Sequence, residues 1–206
     1  MCGSLRVHVD ELLKRMLVRY FFYVLFFASM AMSASAGQQA LVVDLGQSRI
    51  EVAVKATMDS FVGQLSAYEP AILVGDDGSV VGARVAFNFR DLGTGKAKRD
   101  KAMHKWQQTD TYPDGRFILQ SIDPADGSAT MASGQLTLHG NTRDIRFPVT
   151  IRRDGPLYFF DGDVPVDTSE FGLPGIRMLG VLKVDPVVHV RFHLQGTPQN
   201  SVIAQP

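Results

Sequence analysis

Cysteine is all but missing from this chain. Cys2 is the only one, so no intramolecular disulfide can staple the residues that follow it. An excess of charge of one sign is missing too. Lys+Arg and Asp+Glu both number 21, and charged residues make up only 20% of the whole. With no broad basic field to hold a phosphate backbone, nucleic acid is not an expected partner. Long hydrophobic runs are also lacking. The most apolar stretch, residues 20–28 and the small residues after it, has a strongly apolar core of about a dozen residues, short of the roughly 20 that span a bilayer.

Catalytic signatures are equally scarce. There is no Gly-x-Ser-x-Gly elbow, no Gly-rich phosphate loop after a strand and no cysteine nucleophile beyond Cys2. An enzyme is therefore not expected. The five histidines are scattered. His189 and His193, four apart on one strand, have attachment points about 13 Å apart, too far to share one ion. No metal site and no cofactor are expected. Asp161 and Asp163, in Phe160-Asp-Gly-Asp163, read as a solvated turn rather than a carboxylate pair.

What the chain does have is 45% hydrophobic residues, inside the globular range and well away from the disordered corner. Lys14, Arg15 and Arg19 precede the apolar stretch, and Ala34-Ser35-Ala36 follows it: basic, apolar, small, the order of a secretory signal peptide. The expected organisation is a signal peptide over residues 1–36, one β domain over 37–196 and a loose tail over 197–206. Met16 is an alternative initiator. Export to the periplasm is the expected localisation.

From Leu41 onward the pattern has period two, the strand signature. Residues 49–57, 60–66, 71–74, 80–90, 116–121, 128–139, 144–153, 157–167 and 179–194 read as roughly nine strands, with a turn at residues 75–78. Only residues 96–107 read as helical, a short amphipathic piece bearing Ala97, Ala102, Met103 and Trp106. Many closely spaced strands with one helical insertion describe an all-β sandwich or an antiparallel barrel, and a barrel removes exposed edges. In either, Ile50, Val52, Val54, Val85, Phe87, Phe89, Leu136 and Leu138 are expected to face inward. The opposite register would bury Glu51, Lys55, Arg84, Asn88 and Arg90 at a cost of roughly several kcal/mol each. Pattern alone leans towards an ordinary packed core and does not distinguish a filled lumen from a hollow one.

One segment is more specific. Ser133-Gly-Gln-Leu-Thr-Leu-His-Gly-Asn-Thr-Arg-Asp-Ile-Arg-Phe-Pro-Val149 resembles the G-x-L-T-L-H-G-x-T-x-x-x-x-x-P-V signature of the YceI-like family. Ser48-Arg-Ile-Glu-Val-Ala-Val-Lys55 with Val62-Gly-Gln-Leu65 is similar to its opening strands. Gly95-Lys-Ala-Lys-Arg-Asp100 with His104 resembles its T-G-x-x-x-R-D-x-x-x-H segment, and Glu170-Phe-Gly172 occupies its D-F-G place. Ala56 stands where many members have a histidine, and Glu170 where they have aspartate.

The resemblance, spanning residues 41–196, implies an antiparallel lipocalin-like barrel of about eight strands with a helical insertion. Its apolar lumen would hold a polyisoprenoid or quinone-like lipid. It implies Arg99, Asp100, His104 and His139 as polar contacts at the pocket mouth, with His139 equally readable as the holder of a turn. A transient membrane contact and a homodimer are both compatible with it. The competing expectation is a secreted interaction module with a filled core and no ligand.

Overall fold

The computed structural model describes residues 37–57, 59–124, 130–178 and 182–199. The signal-peptide expectation falls outside the described residues. Within them, the period-two runs become strands: β1 (Gln38–Val43), β2 (Arg49–Val54), β3 (Phe61–Leu65), β4 (Glu69–Gly75), β5 (Val80–Asn88) and the short β6 (Leu92–Gly93). After the helix α1 (Ala97–Gln107) come β7 (Asp114–Pro124), β8 (Thr130–Leu138), β9 (Asn141–Asp154) and β10 (Leu157–Asp167). A small hairpin, β11 (Arg177–Met178) with β12 (Leu182–Lys183), precedes the long β13 (Val187–Pro198).

Three pairs of these strands act as single staves. β13 pairs with β10 along one edge and with both β1 and β2 along the other. β1 in turn pairs with β4, and β2 with β3, so β1–β2 and β3–β4 are each one interrupted stave. β5 and β6, which pair with β4 and β3, make a third. With β7, β8, β9, β10 and β13 these give eight antiparallel staves closed into a barrel, each next to its chain neighbour. Closure satisfies the ladder groups that an open sheet would leave at its edges.

The breaks have local causes. Between β1 and β2, the Asp44 carboxylate accepts the backbone N–H groups of Gly46 and Gln47, which turns the chain out of the ladder. Between β5 and β6, Asn88 accepts the N–H of Arg90 and caps a short 3-10 turn. The β8–β9 connection is a two-residue turn. His139 and Gly140 both have positive φ, 48° and 73°, the backbone of the tight hairpin that matches strand twist.

Two expectations change here. Asp161 and Asp163 are not in a turn; they sit mid-strand in β10, facing outward. Gly162 between them faces inward, where a Cβ would run into the ring of its cross-strand partner Phe192. The glycine that mimics a turn is a gap filled by an aromatic ring. The tail also begins later than expected. β13 continues through Thr197 and Pro198, pairing with Val42 and Leu41, because barrel closure supplies those residues with ladder partners. Residues 200–206 fall outside the described residues.

Apolar burial forms two clusters. One gathers Leu41, Ile50, Leu65 and Ile72 from β1–β4 with Tyr158 of β10; the other gathers Leu136, Phe147, Val164 and Phe171 from the β8–β10 side. Between them the barrel is hollow.

Candidate functional site

A cavity of about 820 Å³ runs along the barrel interior, within the size range of small-molecule sites. Its wall is made by alternate strand positions, as the pleat requires. All eight of the residues expected to face inward, Ile50, Val52, Val54, Val85, Phe87, Phe89, Leu136 and Leu138, line it. The residues of the opposite register, Glu51, Lys55, Arg84, Asn88 and Arg90, do not. The packed core that pattern alone leaned towards is therefore not what the barrel encloses. Phe117, Phe147 and Phe192 add to the lining, with Phe117 and Phe192 each edge-on to Phe147. Phe159 faces outward instead, beneath the Arg152 guanidinium.

Lining residues that are also exposed locate the mouth. They are Asp59, Lys98, Ala102, Pro174, Gly175 and Asp185, contributed by the β2–β3 connection, α1 and the excursion between β10 and β13. α1 and that excursion form a cap over this end. The Trp106 indole N–H donates to the Pro174 carbonyl at 2.7 Å and ties the two together. Arg99, Ala102, Met103, Trp106 and Gln107 recur at helical spacing, and all five line the cavity.

The four polar residues that the family resemblance implied at the mouth separate. Only Arg99 lines the cavity. Its guanidinium lies 4.0 Å over the Phe61 ring and donates to Asp59 at 3.2 Å. Asp100 turns away and holds the helix start: its Oδ1 accepts the Thr94 hydroxyl at 2.6 Å and the Thr94 N–H at 2.9 Å. The Thr94 hydroxyl above all, with the Thr94 N–H assisting, holds this carboxyl below the ordinary carboxylate range against the opposing effect of burial. His104 lies 3.4 Å from the Thr109 hydroxyl. His139 lies at the β8–β9 turn, its Nδ1 3.2 Å from the Phe171 carbonyl and its ring 4.3 Å from that of Tyr112. Asn141 donates to that same carbonyl at 2.9 Å. The L-H-G-N stretch is thus a tight turn docked on the Glu170-Phe-Gly172 segment, and it joins the barrel rim to the cap. Asp100, His104 and His139 do not line the cavity.

Gln107 was not among the sequence candidates. It is only 2% exposed, lines the cavity and leaves its Nε2 without a hydrogen-bond partner among the described residues. The signal was its spacing, four residues after Met103 on the inward stripe of α1.

On the outer face, His193 pairs with Asp161 at 2.6 Å, and His189 and Arg191 both pair with Asp163. Burial pulls the Asp163 carboxyl up, but its hydrogen bonds from His189 and Arg191 prevail and hold it below the usual range. No group of three or more His, Cys, Asp or Glu side chains placed to hold a metal occurs among the described residues.

Comparison with known proteins agrees with this architecture. BcnA of Burkholderia cenocepacia superposes with a TM-score of 0.67 at 23% identity, covering 76% of this chain and 100% of that one. A polyisoprenoid-binding domain from Saccharophagus degradans gives 0.60 at 15% identity, covering 79% and 99%. At these identities the likeness concerns the fold. A UPF0312 protein of Pseudomonas putida is 26% identical over 92 residues, 41% of this chain, and the match spans 48% of that protein's length. The YceI-like domain model matches residues 41–196, nearly all of the barrel, and the chain belongs to the YceI-like family.

Proposed function

We propose that this protein is a periplasmic carrier that holds a polyisoprenoid or quinone-like lipid in its lumen. The observation that carries the reading is the cavity: about 820 Å³, walled by aliphatic and aromatic side chains, with the charged lining residues Asp59, Lys98, Arg99 and Asp185 gathered at one end. An isoprenoid tail needs an environment of this kind. Each Å² of apolar surface withdrawn from water contributes about 25 cal/mol, so a tail burying a few hundred Å² gains roughly 10 kcal/mol before the costs of association. Affinity then resides in the tail. Tunnel length and the mouth's polar groups set selectivity. A binding role, rather than catalysis, accords with this apolar wall, and the polyisoprenoid-binding domain among the similar folds supports the choice of ligand class.

The hollow lumen weighs against an interaction module with a filled core. Organic extraction of the purified protein followed by mass spectrometry tests the carrier reading. It predicts a prenyl lipid in near-stoichiometric amount, or uptake of an added polyprenol by empty protein. Protein that is empty and refuses polyprenols of every length tested would overturn it.

A further inference from the structure

The net charge of zero conceals an uneven distribution of one residue type. Every lysine beyond residue 36 lies on α1, at its start or next to a lining residue of the rim: Lys55, Lys96, Lys98, Lys101, Lys105 and Lys183. Lys98, Lys101 and Lys105 follow α1 at spacings of three and four, beside the exposed lining residue Ala102. Lys55 and Lys183 flank Ala56 and Val184, lining residues that bridge each other across the rim. All six lysines are exposed, and among the described residues none forms an ion pair within 4.0 Å.

Three acids near the opening are engaged locally. Asp59 takes the Arg99 guanidinium, Asp100 takes Thr94, and Asp185 accepts the Val187 N–H. Most arginines, by contrast, are spread along the walls, for example Arg84 on β5, Arg146 on β9 and Arg191 on β13. Lysine is a strongly hydrated point charge on a flexible stem, suited to a diffuse anionic plane rather than to one paired carboxylate. A cluster of such charges beside the opening of an apolar lumen is the arrangement that draws a polybasic surface to anionic lipid.

We propose that the lysine rim docks the mouth onto an anionic phospholipid surface, so that an apolar chain passes between bilayer and lumen without crossing water. The cargo-exchange role rests on the carrier reading; the docking face itself does not. An acidic protein partner is the alternative occupant, and the rim offers it little anchorage, since Trp106 and Phe61 are committed to Pro174 and Arg99.

The test is flotation of the purified protein with vesicles of equimolar phosphatidylglycerol and phosphatidylcholine, beside pure phosphatidylcholine, across a salt series. The expected result is binding to the anionic vesicles alone, weakened by salt. The pair Lys101→Glu/Lys105→Glu, which alters no lining residue, should reduce it by roughly tenfold or more. The pair Arg84→Glu/Arg146→Glu makes the same change in net charge on the barrel wall and should leave binding within about twofold of the parent. Equal loss in both pairs, equal binding to both vesicle types or no vesicle binding would overturn the docking face. Polyprenol uptake from detergent solution, measured on the same proteins, keeps the two readings apart. Wild type that floats with anionic vesicles but takes up no polyprenol sinks the carrier reading, whereas loading without flotation sinks the docking face.

Discussion

Ladder hydrogen bonds around eight closed staves hold the wall of this barrel, whereas scattered side-chain contacts and single backbone bonds hold the cap over its mouth. Those contacts include Trp106 on Pro174, Arg99 on Asp59 and Phe61, Asp100 on Thr94, His139 and Asn141 on the Phe171 carbonyl, and single backbone bonds from Thr57 to Lys183 and from Asp185 to Lys55. The wall is apolar inside and continuous; the cap supplies most of the charged lining. The difference separates two tasks. A stiff wall sets what fits, and a region held by separate contacts rather than a continuous ladder is where local opening costs least and where a ligand can pass. Substitutions in one region should therefore leave the other's property largely intact.

The largest effect is expected where the two regions join. His139→Ala removes the ring packed on Tyr112 and one of the two groups at the Phe171 carbonyl, and it places alanine at a φ of 48°. Lost contacts and left-handed strain together should cost about 2 to 3 kcal/mol in denaturant unfolding. Lipid loading should fall only as far as stability does. His139→Asn keeps a residue that tolerates this backbone and should recover part of the loss. Unchanged stability with abolished loading would make His139 a ligand contact and break the division between joint and lumen.

Next comes the wall. Val85 lines the cavity, and Val85→Trp places extra bulk where a lipid tail would lie. Loading should fall about tenfold while the melting temperature moves little, because the ring enters existing space. In a filled core the same change would overpack and cost about 1 to 3 kcal/mol. A destabilised variant, beside a parent that carries no lipid, would therefore contradict a hollow lumen.

The same division explains what could be read from sequence. Wall positions such as Val52, Phe87 and Leu136 were legible because strand alternation is a local property, and one correct register sorts a whole stave. The mouth was not legible in this way. Arg99, Asp100 and His104 lie within six residues of one another, yet helical rotation sends only Arg99 to the cavity, and Asp59 meets it from forty residues away. Asp161 and Asp163 looked like turn residues because Gly162 is usually a turn signal, and the ring that occupies its space comes from Phe192, thirty residues on. The hollow itself has no local signature. Inward aliphatic residues read alike whether they meet one another or a void.

Gln107 sharpens the comparison, since it is a cap residue with a wall-like burial. Its unpartnered Nε2 should make it a net cost to the empty protein. Gln107→Leu keeps the approximate volume and removes the buried amide, so it should raise stability by about 1 kcal/mol. Thermal melts of lipid-free protein measure this. A destabilised Gln107→Leu would mean that the amide is hydrogen-bonded in solution, and that the cap is more firmly built than its visible tethers suggest.

The smallest expected effect is the pH response of the cap. The Asp100 carboxyl is held below the ordinary range, chiefly by the Thr94 hydroxyl, so folding favours its ionised form. Its contribution is complete above the unfolded value, about pH 4, and is lost as pH falls through the lower folded value. Neutral and mildly acidic conditions should therefore leave the start of α1 intact, with loosening confined to strongly acidic solution. Because the group is close to solvent, the change belongs to the helix start rather than to the whole barrel. Amide NMR shifts of Thr94 followed through an acid titration should show a transition below pH 4, with wall amides such as that of Leu136 unmoved over the same step. Asp100→Asn has no proton to gain and should flatten the Thr94 curve. A Thr94 transition that persists unchanged in Asp100→Asn would mean that the Asp100–Thr94 pair is not the acid-sensitive tether of the helix start.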